Sequence, residues 1–383
     1  MKSNMKKFFL AACLAIIGTW GAWAQKLVEG EVKGIEHQSS YMPTYKSDGS
    51  KKAPLNVILM IGDGTGLAQI ASGYYANGGE LTVMNLKHIG FVTTQSKTDF
   101  ITDSAASGTA YASGQKTYNY SIGLDLDKQP IPNIPERVAP LGIISGVVST
   151  DDLNGATPAS FFAHQANRGM TQEIWADIPG SCLTFFGAGH KELFAAQPES
   201  TRKGILDNFT IVERLDDPAA AGARRLGYLP PSQETTYLTD GRGDFLPVTT
   251  QYAIDFLNAR TARKKGFFLM VEGARIDKCS HKNDFRGTVL EMMDFDKAIE
   301  AAIRFADEDG HTLVVISADH ETGGLSLANG KPENGDLGGR FATGGHSPIP
   351  VPIFAYGPHA QDFTGVLGNE EVAQRILKLL LKK

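Results

Sequence analysis

The stretch LNVILMIGDGTG, residues 55–66, decides the fold. Residues 55–61 form a mostly apolar run without polar alternation. That is the pattern of a strand buried on both faces, and it stops at Asp63, an acid bracketed by glycines. The pattern recurs. IISGVVSTDD ends near Thr150, FFLMVEGARID near Glu272 and TLVVISADHETGG near Asp319, while VPIFAYGP supplies a further short strand. Helical spacing lies between them, at residues 158–167, 251–261, 288–307 and 370–381. The alternation predicts an α/β fold, one large domain with a central, mostly parallel sheet flanked by helices on both faces. In such sheets ligands bind beyond the carboxyl ends of the strands. One strand ending in an acid would only mark the start of a loop; four ending in acids, histidine or threonine point to a site.

The remainder of the chain narrows the function classes. Of 383 residues, 42% are hydrophobic and 21% charged, a globular balance. The start, MKSNMKKFFLAACLAIIGTWGAWAQ, places Lys2, Lys6 and Lys7 before an apolar run and Ala22-Trp23-Ala24 before Gln25. This predicts a signal peptide at residues 1–24 and an exported protein, periplasmic or secreted. Cys13 sits too early for a lipoprotein box, and no second segment is apolar enough to span a bilayer, so no membrane anchor is expected. Without the leader, 34 basic residues face 42 acidic ones, a net charge of −8. Polynucleotide binding needs clustered Lys and Arg, so nucleic acid is not an expected partner. A small phosphate-bearing ligand is compatible, because one arginine and bound metal can hold it. Cys182 and Cys279 could pair after export, but Cys279 lies in a stretch committed to chemistry, and no bridge is expected. Residues 25–54 read as a polar, irregular arm, 216–233 as surface helix and loop within a less informative stretch from 191 to 248, and 328–345 as a Gly- and Asn-rich loop.

The chemistry concentrates in a few motifs. In VEGARIDKCSH, Asp277 and His281 are four apart and share a helix face. Carboxylate plus imidazole is a usual zinc pair, although D-x-x-x-H alone mostly marks a surface helix. SADHETGG adds Asp319 and His320 at a strand end. TGGHSP adds His346 in a glycine loop, and Asp63 and Glu272 complete the set. Three histidines, three aspartates and a glutamate suit two borderline-soft metals and one hard one.

Six motifs, MIGDGTG, TDSAASGTA, ATPASFFAHQANR, VEGARIDKCSH, SADHETGG and TGGHSPIPVPIFAYG, occur in the order found in alkaline phosphatases. The chain resembles that family from about Leu55 to the C-terminal helix. The resemblance implies a catalytic domain over residues 55–383 that hydrolyses small phosphate monoesters through a phosphoserine. Ser104, directly after Asp103, matches the nucleophile and a metal ligand, and Arg168 the arginine that grips the phosphoryl group. Lys278 matches a lysine that contacts phosphate through water. Asp277, His281 and His346 match one Zn2+ site, and Asp319, His320 and Asp63 the other. Asp63 also bridges to a Mg2+ site completed by Thr157 and Glu272. Gly155 departs from the pattern: some members carry an acid or a histidine there that supports the third metal, whose occupancy is thereby left open, with Asp152 as the candidate replacement. The resemblance also implies a small crown between His320 and His346, an open site and, as in many relatives, a homodimer. The alternatives are a phosphodiesterase on the same scaffold and an inactive phosphate- or zinc-binding protein. Thr102, Ser107 and Thr109 read as packing or capping hydroxyls, and His164 as a structural residue in the helix predicted at 158–167.

Overall fold

The computed structural model describes residues 28–262, 265–331 and 334–382. The leader predicted at residues 1–24 lies outside them. At the centre is a ten-stranded sheet. Its order is Gly365–Gly368, His88–Thr93, Val351–Tyr356, Thr312–Ser317, Asn56–Gly62, Phe267–Gly273, Ile144–Ser149, Leu183–Gly187, Leu226–Tyr228, Thr210–Val212. Only Val351–Tyr356 runs against its neighbours; every other pairing is parallel.

The apolar run at residues 55–61 is explained by two cores. Val57, Leu59 and Ile61 point into one, with Ala105, Tyr111 and Ala112 of the helix Ser104–Ser113 and Val372, Ile376 and Leu380 of the helix Asn369–Leu380. Ile58 and Met60 point into the other, with Ile254 and Leu257 of Phe245–Arg260 and Met292, Phe295 and Ile299 of Phe285–Asp309. Successive strand side chains alternate between faces. Since both faces are covered, the alternation carries no polar residue. Each such buried side chain contributes about 1.5–3 kcal/mol.

The helices expected at 251–261, 288–307 and 370–381 are Phe245–Arg260, Phe285–Asp309 and Asn369–Leu380. Caps extend the second: Asp284 accepts from Gly287 N, and Gly310 ends it at φ +69°. Four readings need correction. Within 216–233, read as surface helix and loop, Leu226–Tyr228 is a buried strand of the central sheet. Residues 158–167 are not a helix. A single turn, Ala156–Ala159, gives way to irregular chain in which Gln165 exchanges both backbone hydrogen bonds with Ile122. A distant partner there outcompetes the local helical ladder. The arm is not wholly irregular, and 328–345 is not mainly loop. Val28–Val32 pairs antiparallel with Asp336–Phe341, which pairs in turn with Leu325–Lys331. The glycines that suggested a loop serve close packing: a Cβ on Gly30 or Gly339 would strike the Phe285 side chain beneath the sheet. Two of its three strands, Leu325–Lys331 and Asp336–Phe341, form the small insertion between His320 and His346.

Candidate metal centre

Strand register assembles the site. Ile61 aligns with Ser317 on one side and Glu272 on the other, and Ser149 aligns with Glu272. The next residues out of these strands therefore bring Asp319, Asp63, Glu272 and the 150–155 turn side by side. Gly64 N ties the first two together by donating to Asp319 Oδ1 at 3.1 Å.

Ser104 is the first residue of the buried helix Ser104–Ser113. Asp103 caps that helix, Oδ1 accepting from Ala106 N at 3.0 Å and from Tyr120 N at 3.0 Å. Its Oδ2 accepts from Arg168 Nη1 at 3.1 Å. One carboxylate thus sets both the helix start and the arginine. The neighbouring hydroxyls are structural, as their sequence context indicated. Ser107 Oγ donates to Asp319 O at 2.7 Å, Thr109 Oγ1 accepts from Gly123 N at 2.9 Å, and Thr102 Oγ1 donates to Asp103 O at 3.0 Å. Ser107 docks the helix onto the strand end that carries Asp319.

Two groups of ligand atoms lie within 4.8 Å of one another: Asp63, Asp319 and His320, and Asp277, His320 and His346. His281 borders the second group, its Nε2 3.3 Å from Asp277 Oδ2 and 3.1 Å from His346 Nε2. Against the sets expected from sequence, Asp277, His281 and His346 and Asp63, Asp319 and His320, two differences stand out: His320 reaches both groups, and His281 lies beside the second rather than within it. Each imidazole is anchored through Nδ1. His281 contacts Gly344 O at 2.7 Å, His346 contacts Thr102 O at 2.8 Å and His320 contacts Thr322 Oγ1 at 3.2 Å. All three Nε2 atoms are left facing the site, the arrangement that orients metal-binding histidines.

Around His320 Nε2 stand Ser104 Oγ at 3.2 Å, Asp319 Oδ2 at 3.1 Å and Asp63 Oδ1 at 3.6 Å. One ring nitrogen cannot serve three oxygens. Asp63 Oδ1 and Asp319 Oδ2 are buried without a hydrogen-bond partner, as is Thr157 Oγ1. Such orphaned oxygens in a native interior call for an ion or water. Burial, then the charges of Asp319, Asp277 and Glu272, push the Asp63 carboxyl well above its usual range. Burial, then Asp151, pushes Glu272 up to about 8. Burial works against Asp319 too, but His320 overrides it and holds that carboxyl low. Burial and the nearby His320 ring take His346 down to about 4. Excess buried negative charge, mixed N/O donors in two groups and orphaned oxygens at Asp63 and Thr157 all fit divalent cations.

Lys278 Nζ pairs with Asp151 Oδ1, and Ser149 Oγ donates to Glu272 Oε2. Asp152, the acid considered for the place left by Gly155, is not the one facing it; Asp151 is. His164 is structural but not helical, its ring between Gly123 O at 2.7 Å and Glu136 Oε1 at 3.0 Å. Cys182 and Cys279 are both free. Among the described residues no helix is long and apolar enough to cross a membrane. Sequence reasoning missed Asp103 as the anchor of Arg168, although an Asp before a run of small residues is a helix-cap signal. It also missed Thr322, which donates to Asp277 Oδ1 while touching His320, and no sequence signal marks that residue.

Known proteins resemble this chain in sequence and fold. The alkaline phosphatase family profile matches residues 54–194 and 240–336. Alkaline phosphatase 4 of Bacillus subtilis is 35% identical over 351 residues, covering 86% of this chain and 72% of its own length. Alkaline phosphatase of Escherichia coli is 28% identical over 404 residues, covering 84% and 85%. The structure of alkaline phosphatase from the Antarctic bacterium TAB5 superposes with a TM-score of 0.80 at 39% identity, covering 87% of this chain and 99% of that one. A histidine-to-aspartate variant of that protein is described with magnesium bound in its M3 site.

Proposed function

This chain belongs to the alkaline phosphatase family, metal-dependent hydrolases of phosphate monoesters, and on that premise we propose that Ser104 carries the phosphoryl group in transit. The observation that supports it is the convergence at His320 Nε2. In a Ser-His-Asp relay the acid and the serine occupy opposite ring nitrogens. Here Asp319 and Ser104 crowd the same nitrogen, and Nδ1 is engaged by Thr322. That arrangement suits shared ligation of a cation rather than proton relay.

Asp63, Asp319 and His320, with Ser104, would hold one Zn2+; Asp277, His281 and His346 would hold a second. Asp63, Thr157 and Glu272, all oxygen donors, would hold Mg2+. When bound, such cations lower the pKa of a ligated hydroxyl or water and offset phosphate charge. Ser104 Oγ then forms the bond to phosphorus as the ester P–O bond breaks and the alcohol leaves. Water attacks the phosphoserine, Ser104 Oγ departs, and inorganic phosphate results. The Ser104 position at a helix start adds the helix's favourable partial charge. Arg168, held by Asp103, presents its planar fork to the equatorial oxygens. The lysine-led apolar leader supports export.

The test is turnover of a chromogenic aryl phosphate by the metal-loaded protein, with Ser104→Ala and with chelation followed by zinc add-back. Loss in both cases, recovery with zinc, and a labelled phosphate trapped on Ser104 are expected. Full activity in Ser104→Ala would sink the phosphoserine reading.

A further inference from the structure

Gly155 poses a problem for the third cation, because it has no side chain to support it. Its backbone does not demand glycine: φ −55° and ψ 148° are open to any residue. The obstacle is space. A Cβ at 155 would stand 2.6 Å from Asp151 Oδ2 and 2.9 Å from Asp151 Cγ. The Asp151 carboxylate occupies the volume that a side chain at 155 would enter.

Asp151 is firmly placed. Its backbone N donates to Ser149 Oγ at 2.8 Å, and that hydroxyl donates to Glu272 Oε2. Asp151 Oδ1 accepts from Lys278 Nζ and from Asp152 N, the latter at 2.8 Å. Gly155 N donates back to Asp152 O at 2.7 Å, folding the turn over the carboxylate. Burial pushes the Asp151 carboxyl up, but the adjacent Lys278 ammonium outweighs it and keeps the group ionised. Of the oxygens of the expected third site, Glu272 is joined to the Asp151 backbone N through Ser149 Oγ, and Thr157 Oγ1, two residues after Gly155, is unpartnered.

We infer that Asp151 supplies, from the opposite end of this turn, the acidic support that Gly155 lacks, clamping Lys278 and backing the cation held by Asp63, Thr157 and Glu272. Gly155 and Asp151 are then one exchangeable pair: an acid at either position, never at both. Asp151 acts as a positioning residue, its carboxylate working through Lys278. This rests on the three-metal reading above.

The experiment is calorimetric titration of Mg2+ into the zinc-loaded full chain, with zinc content measured for each variant. Asp151→Asn is expected to weaken Mg2+ binding by about 10- to 100-fold, the usual effect of losing a partner behind the ligands, with zinc retained. Gly155→Asp alone is expected to weaken it too, since the new side chain collides with Asp151. The double variant Asp151→Ala/Gly155→Asp is expected to recover most of the affinity. Unchanged Mg2+ affinity in Asp151→Asn, parallel loss of zinc, or a double variant no better than Asp151→Ala alone would each overturn the proposal for Asp151 and leave the three-metal reading standing. A wild-type protein that binds no Mg2+ would overturn both.

Discussion

Two clusters of buried charge in this molecule are built on opposite plans. Arg242, fully buried, places Nη2 2.6 Å from both Glu291 Oε2 and Asp294 Oδ2, while Nη1 donates to Thr236 O. Leu238 N donates to the remaining Glu291 oxygen. That cluster carries its own cation, and only Arg242 Nε lacks a partner. The strand-end cluster gathers Asp63, Asp277, Asp319 and Glu272 with Lys278 as a cation on one flank, and it leaves buried carboxylate oxygens unpaired. Burying a charge costs stability unless it is paired. The first cluster meets most of that demand with its own guanidinium, although burial still pushes Asp294 up to about 6. The second does not, and the deficit marks it as a place for cations from solution.

The largest effect that separates the two is metal removal. Zinc at about a thousand times its Kd is expected to add about 4 kcal/mol per site to the folded state. Thermal melts before and after chelation would show it, and a chelation-insensitive melt would erase the distinction. Arg242→Ala should strand two buried acids and cost about 3–5 kcal/mol, with zinc content by elemental analysis unchanged. Zinc loss in that variant would mean the clusters are coupled.

Proton linkage gives a subtler contrast. Asp63 and Glu272 have raised carboxyl pKa values in the fold. The folded metal-free protein therefore keeps protons that the unfolded chain releases. Its stability should fall as pH rises from about 4.5 to about 8, the window set by Glu272. Asp63→Asn should reduce that slope and leave the metal-free protein as stable or more so. Denaturant melts across this pH range measure it, and reconstitution with metal should flatten or reverse the slope because ligation displaces the protons. The smallest effect is expected for Asp103→Ala. Losing the cap should cost about 1 kcal/mol, while freeing Arg168 should raise KM for the aryl phosphate. An unchanged KM would detach Asp103 from phosphate recognition.

Much of this was legible beforehand, for reasons that differ by element. The strands Asn56–Gly62, Phe267–Gly273 and Thr312–Ser317 are covered on both faces, so they are written as unbroken apolar runs. Thr210–Val212 and Gly365–Gly368 are short and peripheral, and carry no such signature. The small sheet of Val28–Val32, Leu325–Lys331 and Asp336–Phe341 was hidden because its glycines, needed against Phe285, imitate loop composition. Ser104, Arg168 and the ligand residues stood out through their ordered motifs. Asp151 did not, because Asp151 and Asp152 are equivalent as letters and only the turn decides which faces Gly155.

The sequence by itself determined which segments become central strands and which donor atoms are available, since both depend on local pattern and residue chemistry. Only the tertiary structure decided that His320 reaches both groups of donor atoms, that Asp103 holds Arg168 and that Asp151, not Asp152, faces Gly155 and pairs with Lys278. Those relations depend on register between strands and turns up to hundreds of residues apart, where a displacement of one position would turn each side chain to the other face.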